Sequence, residues 1–181
     1  WLAPRGALVK ITTAFVLLAL AIAGNATAAY AQSAHVFLVQ NSGWMEPFYT
    51  DPKSLYKELV TELATAVIED GDLVVLAAFN QSLPNAPSPQ ALDSFKAQIK
   101  TRRTRITQAL AALSVAKKPN GAFADTDLTE AVNAATNAAL GNKPGIVWLF
   151  TNNKNSPNND LDTYSRNRDF YNLIHHGKHI K

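Results

Sequence analysis

Three short runs of apolar residues place the strongest constraint on the fold of this chain. They cover residues 35–40 (HVFLVQ), 73–79 (LVVLAAF) and 145–151 (GIVWLFT). Near-continuous apolar runs of this length predict strands that are buried on both faces. Segments with helical spacing lie between them. Strands that alternate with helices predict an α/β fold, with a doubly wound, mostly parallel sheet and helices on both faces.

The segments between the strands differ in how clearly they predict helices. Asp51 has the features of a helix cap, and the apolar residues from Leu55 to Ile68 predict one apolar helix face. Residues 91–100 either extend a helix or form a short edge strand. A later helix is capped by Asp125 or Thr126, and the last one occupies residues 166–175 before a further strand at 179–181.

The first 31 residues have the pattern of a secretory signal peptide. Two basic residues precede ten uninterrupted apolar residues (14–23), and small residues then lead to a cleavage position after Ala31 or Ala28. The apolar run is shorter than the roughly 18–20 residues that cross a bilayer. We therefore expect an exported protein, periplasmic, cell-surface or secreted, whose domain covers residues 32–181 and is incomplete at its C-terminus.

Composition excludes several classes of function. The chain has no cysteine, which rules out a disulfide scaffold, a thiolate zinc site and a cysteine nucleophile. Of its 17 basic residues, Arg5 and Lys10 lie in the predicted signal peptide, which leaves 15 against 14 acidic ones. The one basic run, at 100–105, lacks interleaved aromatic residues. We expect no nucleic-acid partner, and membrane contact only through the export signal or a downstream segment.

Candidate site residues follow the predicted strands. Ligands of parallel α/β sheets bind outside the carboxyl ends of the strands, and three segments of this chain lie there, at 40–45, 125–127 and 152–155. The candidate binding residues are Gln40, Asn41, Ser42, Gly43, Trp44, Asp125, Thr126, Asp127, Asn152 and Asn153.

These segments resemble the loops of a von Willebrand factor type A domain. That family has an apolar strand ending in D-x-S-x-S, a threonine in a later loop, often within T-D-L, and a third apolar strand ending in T-D-G. The matching segments are 36–45 (VFLVQNSGWM), 125–132 (DTDLTEAV) and 146–153 (IVWLFTNN). The resemblance implies a Rossmann-like fold and an adhesion site where Mg²⁺ or Ca²⁺ is held by hydroxyl and carboxylate oxygens and completed by a partner's carboxylate.

The chain departs from this family pattern at three of its five ligand positions. Ser42 and Thr126 keep the first serine and the threonine, and they are the two candidate metal ligands. Gln40 and Asn152 stand where the family has aspartate, and Trp44 replaces the second serine. Neutral amides cannot offset a divalent charge. We therefore expect no cofactor, no catalytic residue, and an amide-rich surface that binds a protein or a matrix or envelope component.

Two alternatives stay open. In the first, Asp125 or Asp127 supplies the missing charge and restores an adhesion site that depends on Mg²⁺ or Ca²⁺. In the second, the chain is an exported α/β hydrolase or transferase that uses Ser42, although the G-x-S-x-G turn of such a nucleophile is absent.

Trp44 has two interpretations. It is either an exposed binding anchor, since tryptophan is enriched in interface hot spots, or a ring that folds back on Pro47 or Phe48. The apolar residues nearby favour the second interpretation.

Overall fold

The computed structural model describes residues 32–141, 143–159 and 163–177. The predicted signal peptide (1–31) and the strand predicted at 179–181 lie outside these residues. Among the helices of the described residues, none has the length and apolar content that spanning a bilayer requires.

Four strands and five α-helices form the described part of the chain. The strands are β1 (Ala34–Gln40), β2 (Leu73–Phe79), β3 (Gln90–Lys96) and β4 (Ile146–Phe150). The helices are α1 (Glu46–Thr50), α2 (Tyr56–Val67), α3 (Arg102–Ala111), α4 (Leu128–Ala134) and α5 (Thr163–His176). Short 3₁₀ turns cover Gly43–Met45 and Pro157–Asn159, and one π-helical turn, Ala135–Ala139, prolongs α4. The three strands predicted from apolar runs are confirmed as β1, β2 and β4.

The strands form one mixed sheet in the order β3-β2-β1-β4. β1 pairs in parallel with β2 and with β4, whereas β3 runs antiparallel to β2. The pairing places Gln40 opposite Phe79, and Val39 opposite Phe150. The three parallel strands therefore end at one edge of the sheet, and the prediction of an α/β fold with a mostly parallel sheet is confirmed.

Alternate residues of β1 enter two separate hydrophobic clusters, as expected of a strand with period two. Phe37 and Val39 pack in a cluster with side chains of α2 and α3. Val36 and Leu38 pack in a second cluster with side chains of α4 and α5. β1 is buried from His35 to Gln40, and it is the strand around which the core forms.

The predicted start of the first long helix is wrong. Asp51 does not cap that helix: it follows the end of α1, and α2 begins only at Tyr56. The Asp51 carboxylate accepts a hydrogen bond from the Lys53 backbone N–H (2.8 Å), and the Ser54 hydroxyl donates to the Phe48 carbonyl (2.6 Å). Aspartate and serine side chains often compete in this way with helix formation, and here they stabilise a turn between two helices.

The single apolar face predicted for α2 divides into a buried row and an exposed row. Val60 and Ala64 are fully buried, whereas Leu55, Leu59 and Leu63 are 69%, 52% and 46% exposed. The sheet covers only one side of the helix, and in the described part of the chain the leucine row stays in contact with solvent.

Residues 90–96 form an edge strand, which resolves the alternative that the sequence left open between helix and strand. Arg105 of α3 forms an ion pair with Asp93 of β3 (2.6 Å) and lies 4.4 Å from the centre of the Phe95 ring. These contacts attach α3 to the edge of the sheet.

A buried polar group connects the amino ends of the strands. The Trp148 indole N–H donates to His35 Nδ1 (3.0 Å), and His35 Nε2 lies 3.4 Å from Asp72 Oδ2. Because the indole nitrogen only donates, the neutral imidazole carries its proton on Nε2, which faces Asp72. The Asp72 carboxylate also accepts the backbone N–H groups of Ser33 (2.9 Å) and Glu69 (2.7 Å).

We expect Asp72→Ala to lower the free energy of unfolding by about 2 kcal/mol, because it removes a buried carboxylate that accepts two partly buried backbone N–H groups. Urea denaturation measures this loss. Glu69→Ala is the matched control, since the Glu69 side chain is exposed, and its cost should stay within about 0.5 kcal/mol. Equal effects of the two substitutions would contradict this account of the buried group.

Candidate functional site

Three loops meet where the parallel strands end. Residues 41–45 follow β1, residues 124–127 precede α4, and residues 151–156 follow β4. Backbone hydrogen bonds join them: the Gly43 N–H donates to the Ala124 carbonyl (2.8 Å), and the Ser156 N–H donates to the Thr126 carbonyl (3.0 Å). The structure thus brings together the three segments that the sequence singled out.

The side-chain amide of Gln40 lies at the centre of this meeting point. Its nitrogen donates to the hydroxyls of Ser42 (2.7 Å) and Thr126 (3.0 Å). Its oxygen accepts from the Thr151 hydroxyl (2.5 Å) and from the Asn152 backbone N–H (3.1 Å). A backbone N–H can only donate, so the amide oxygen must face Asn152 and the amide nitrogen must face the two hydroxyls. We call these five residues the polar junction.

The polar junction is closed to solvent at its centre. Gln40, Ser42 and Thr126 are each 0% exposed. The Thr126 hydroxyl also donates to Ser42 Oγ (2.6 Å), so the two candidate metal ligands bond to each other as well as to the amide. The two amide protons of Gln40 thus point at the oxygens of Ser42 and Thr126.

Two tyrosines stabilise the strand ends beside the polar junction. The Tyr49 hydroxyl donates to the Gln40 carbonyl (2.8 Å), and the Tyr56 hydroxyl donates to the Phe150 carbonyl (3.1 Å). Burial, with a smaller contribution from the neighbouring Tyr56, raises the pKa of Tyr49 above its usual value, and burial also raises the pKa of Tyr56. Both phenols therefore keep the protons that these bonds require.

The two aspartates that flank Thr126 are bonded to other groups. The Asp125 carboxylate forms an ion pair with Lys118. Asp127 accepts the Glu130 backbone N–H (2.9 Å) and pairs with Arg166 (3.0 Å). The prediction that Asp125 or Thr126 caps α4 is wrong: the cap is Asp127, because the Thr126 side chain is part of the polar junction. Among the described residues, no group of three or more histidine, aspartate or glutamate side chains is arranged to hold a metal.

Asn41 and Gly43 are candidate residues that the structure uses for packing. The Asn41 side chain donates to the Ser114 carbonyl (3.1 Å) and accepts from Asn80 (3.0 Å). Gly43 lies so close to Phe123 that a Cβ there would be 2.4 Å from the Phe123 Cβ. Glycine is therefore required at this position for steric reasons.

Trp44 is 44% exposed. Its indole N–H donates to Ser156 Oγ (2.7 Å), its carbonyl accepts from the Asn152 side-chain amide (2.9 Å), and the Lys154 ammonium lies 4.1 Å from its ring centre. The sequence favoured a ring folded back on Pro47 or Phe48. The structure instead attaches the indole to the loop after β4, because Ser156 offers it a buried acceptor.

The remaining amides shape the loop after β4. Asn153 has a positive φ of 60°, which asparagine tolerates better than most residues, and its side chain donates to the Tyr171 hydroxyl (3.2 Å). Asn155 is 6% exposed: its oxygen accepts from the Leu128 N–H (3.0 Å), and its nitrogen has no hydrogen-bond partner.

The sequence did not single out Lys154 or Ser156 individually, nor Phe123. The Asn-rich composition marked the loop after β4, but composition does not indicate which of its residues face Trp44. Phe123 lies in a turn-rich segment where no periodicity identifies an aromatic side chain as exposed.

No protein-family model matches this chain. No curated protein matches it either.

We expect Gln40→Glu to make stability depend on pH. Burial should raise the pKa of the introduced carboxyl group above its value in the unfolded chain, so the protonated form is favoured by folding. Relative to wild type, the loss of stability should be smallest near pH 4 and should grow towards pH 8, by about 1.4 kcal/mol for each unit of pKa shift.

Urea denaturation in EDTA across this pH range measures the effect. Gln108→Glu, on the exposed side of α3, is the control and should follow wild type. A pH-independent deficit for Gln40→Glu would contradict the burial of this side chain.

Proposed function

We propose that this chain is an exported binding module that contacts a protein or a matrix or envelope component without a metal ion. We further propose that it is similar to von Willebrand factor type A domains, with their doubly wound, Rossmann-like fold. One observation carries the proposal: Trp44 is an exposed residue at the carboxyl edge of the sheet, and its indole N–H donates to Ser156.

An exposed tryptophan whose indole N–H is hydrogen-bonded suits recognition. The ring of Trp44 is restrained by the hydrogen bond to Ser156 and by the ammonium group of Lys154. An anchor that is already ordered loses less conformational entropy when a partner binds, and tryptophans of this kind dominate many interfaces. In the loop after β4, the Asn152 amide donates to the Trp44 carbonyl and the Asn153 amide to the Tyr171 hydroxyl, and both add polar groups at the rim.

The hydrogen bonding of the polar junction supports binding without a metal. Ser42 and Thr126 already accept the amide protons of Gln40. In the metal-dependent alternative, Asp125 or Asp127 must approach these hydroxyls. Each would first have to give up its ion pair, with Lys118 or with Arg166. Breaking such pairs and reorganising the Gln40 amide both oppose cation binding.

The geometry favours binding over hydrolysis. A serine nucleophile needs access to substrate and a base within hydrogen-bond reach of its hydroxyl. Ser42 is fully buried, and its hydroxyl is bonded to Gln40 and Thr126. The hydrolase or transferase alternative therefore gains no support from the residue on which it depends.

Two further observations support the proposed resemblance and the proposed export. Residues 1–31 match a signal peptide in sequence, which supports export. The order of the three loops along the chain and their meeting at one sheet edge support the resemblance to von Willebrand factor type A domains.

A binding screen tests this function. The 181-residue chain is applied to immobilised peptidoglycan, collagen, fibronectin and a peptide array, in EDTA and in Mg²⁺ plus Ca²⁺. We expect a component that binds equally in both buffers and about tenfold or more weakly to Trp44→Ala.

Phe48→Ala is the matched control, because Phe48 is 45% exposed, much as Trp44 is, but lies in α1 and contacts the Tyr56 ring instead of the loop after β4. It should bind as wild type. Binding that EDTA abolishes, or the absence of any component whose binding depends on Trp44, would refute the proposal.

A further inference from the structure

Two exposed aromatic residues, Trp44 and Phe123, lie on adjoining loops at the carboxyl edge. Phe123 contacts the backbone of Gly43, and Trp44 follows Gly43 directly. Trp44 is 44% exposed and Phe123 is 47% exposed. The bond from the Gly43 N–H to the Ala124 carbonyl holds the two loops in this arrangement.

A lysine ammonium group lies over each of the two rings. Lys154 Nζ lies 4.1 Å from the ring centre of Trp44, and Lys117 Nζ lies 5.9 Å from that of Phe123. Both lysines are exposed, and neither forms an ion pair with a carboxylate of the described residues. We call these four residues the lysine–aromatic surface.

The acidic residues of the neighbouring loop do not neutralise this surface. Asp125 is paired with Lys118, and Asp127 is paired with Arg166. Their charges are offset locally, so the ammonium groups of Lys117 and Lys154 remain available to an outside anion.

We propose that the lysine–aromatic surface binds an acidic polypeptide segment. Carboxylates of the partner contact the ammonium groups of Lys117 and Lys154, while its neighbouring side chains pack on Trp44 and Phe123. This inference rests on the proposed function and specifies the chemistry of the partner.

The composition of the surface favours a polypeptide over a nucleic acid. Nucleic acids bind to extended rows of basic groups and stack their bases on open aromatic faces. Here there are two ammonium groups, and each already stands over a ring. An aromatic centre with charged groups beside it is the usual composition of a protein interface, in which charge complementarity selects the partner.

The basic run at 100–105 is the competing surface for an acidic ligand. Arg103 and Arg105 of this run already pair with Glu62 and Asp93. Lys100 is exposed and provides a control position within the competing surface.

The test measures fluorescence anisotropy of labelled octapeptides of glutamate, glutamine and lysine with the 181-residue chain. We expect the glutamate peptide to bind at least about tenfold more tightly than the other two, and its affinity to fall as salt is added. A labelled oligogalacturonate of equal charge is the fourth probe and should bind more weakly than the glutamate peptide.

Two double variants with the same change in net charge locate the site. Lys117→Glu with Lys154→Glu should weaken the glutamate peptide about tenfold or more, whereas Lys53→Glu with Lys100→Glu should change its affinity less than about twofold. All four positions are exposed, and circular dichroism checks that both variants keep the wild-type fold.

Several results would overturn the inference. No binding of the glutamate peptide, loss of binding only in the control variant, or tighter binding of the oligogalacturonate would each do so. If the glutamine or lysine peptide binds best and Trp44→Ala abolishes that binding, the proposed function stands and only the acidic partner is wrong.

Discussion

The side-chain amide of Gln40 is the group on which the candidate site depends. It is fully buried, its two protons are donated to Ser42 and Thr126, and its oxygen accepts from Thr151 and Asn152. It therefore joins three loops that are far apart in sequence. Buried polar networks are stable only when every member is bonded, and this amide uses its full hydrogen-bonding capacity. These hydrogen bonds hold the three loops together.

The exposed surface follows from this buried arrangement. The Gln40 oxygen positions the backbone of Asn152, and the side chain of Asn152 in turn donates to the Trp44 carbonyl. Ser156, whose backbone bonds to Thr126, accepts the indole proton of Trp44. The orientation of the exposed ring is thus set by hydrogen bonds that lead back to the polar junction, and a change at the buried amide should reach the binding surface.

Much of the fold could be predicted because apolar runs report burial directly: the bounds predicted for β2, Leu73–Phe79, match the structure. The start of α2 could not be predicted in this way, since Asp51 fits the sequence pattern of a helix cap and equally that of a turn. Gln40 and Thr126 were both candidates, but their mutual bond spans 86 positions and local patterns do not encode it. Lys154 and Phe123 were missed because exposed side chains leave no periodicity.

Calorimetric titration with Mg²⁺, Ca²⁺ and Mn²⁺ tests most directly whether the Gln40 amide stands in place of a cation. The protein should show no saturable one-site binding of any of the three ions, because the hydroxyls of Ser42 and Thr126 are bonded to the amide and the adjacent carboxylates to basic side chains. One-site binding that Thr126→Ala abolishes would contradict the account.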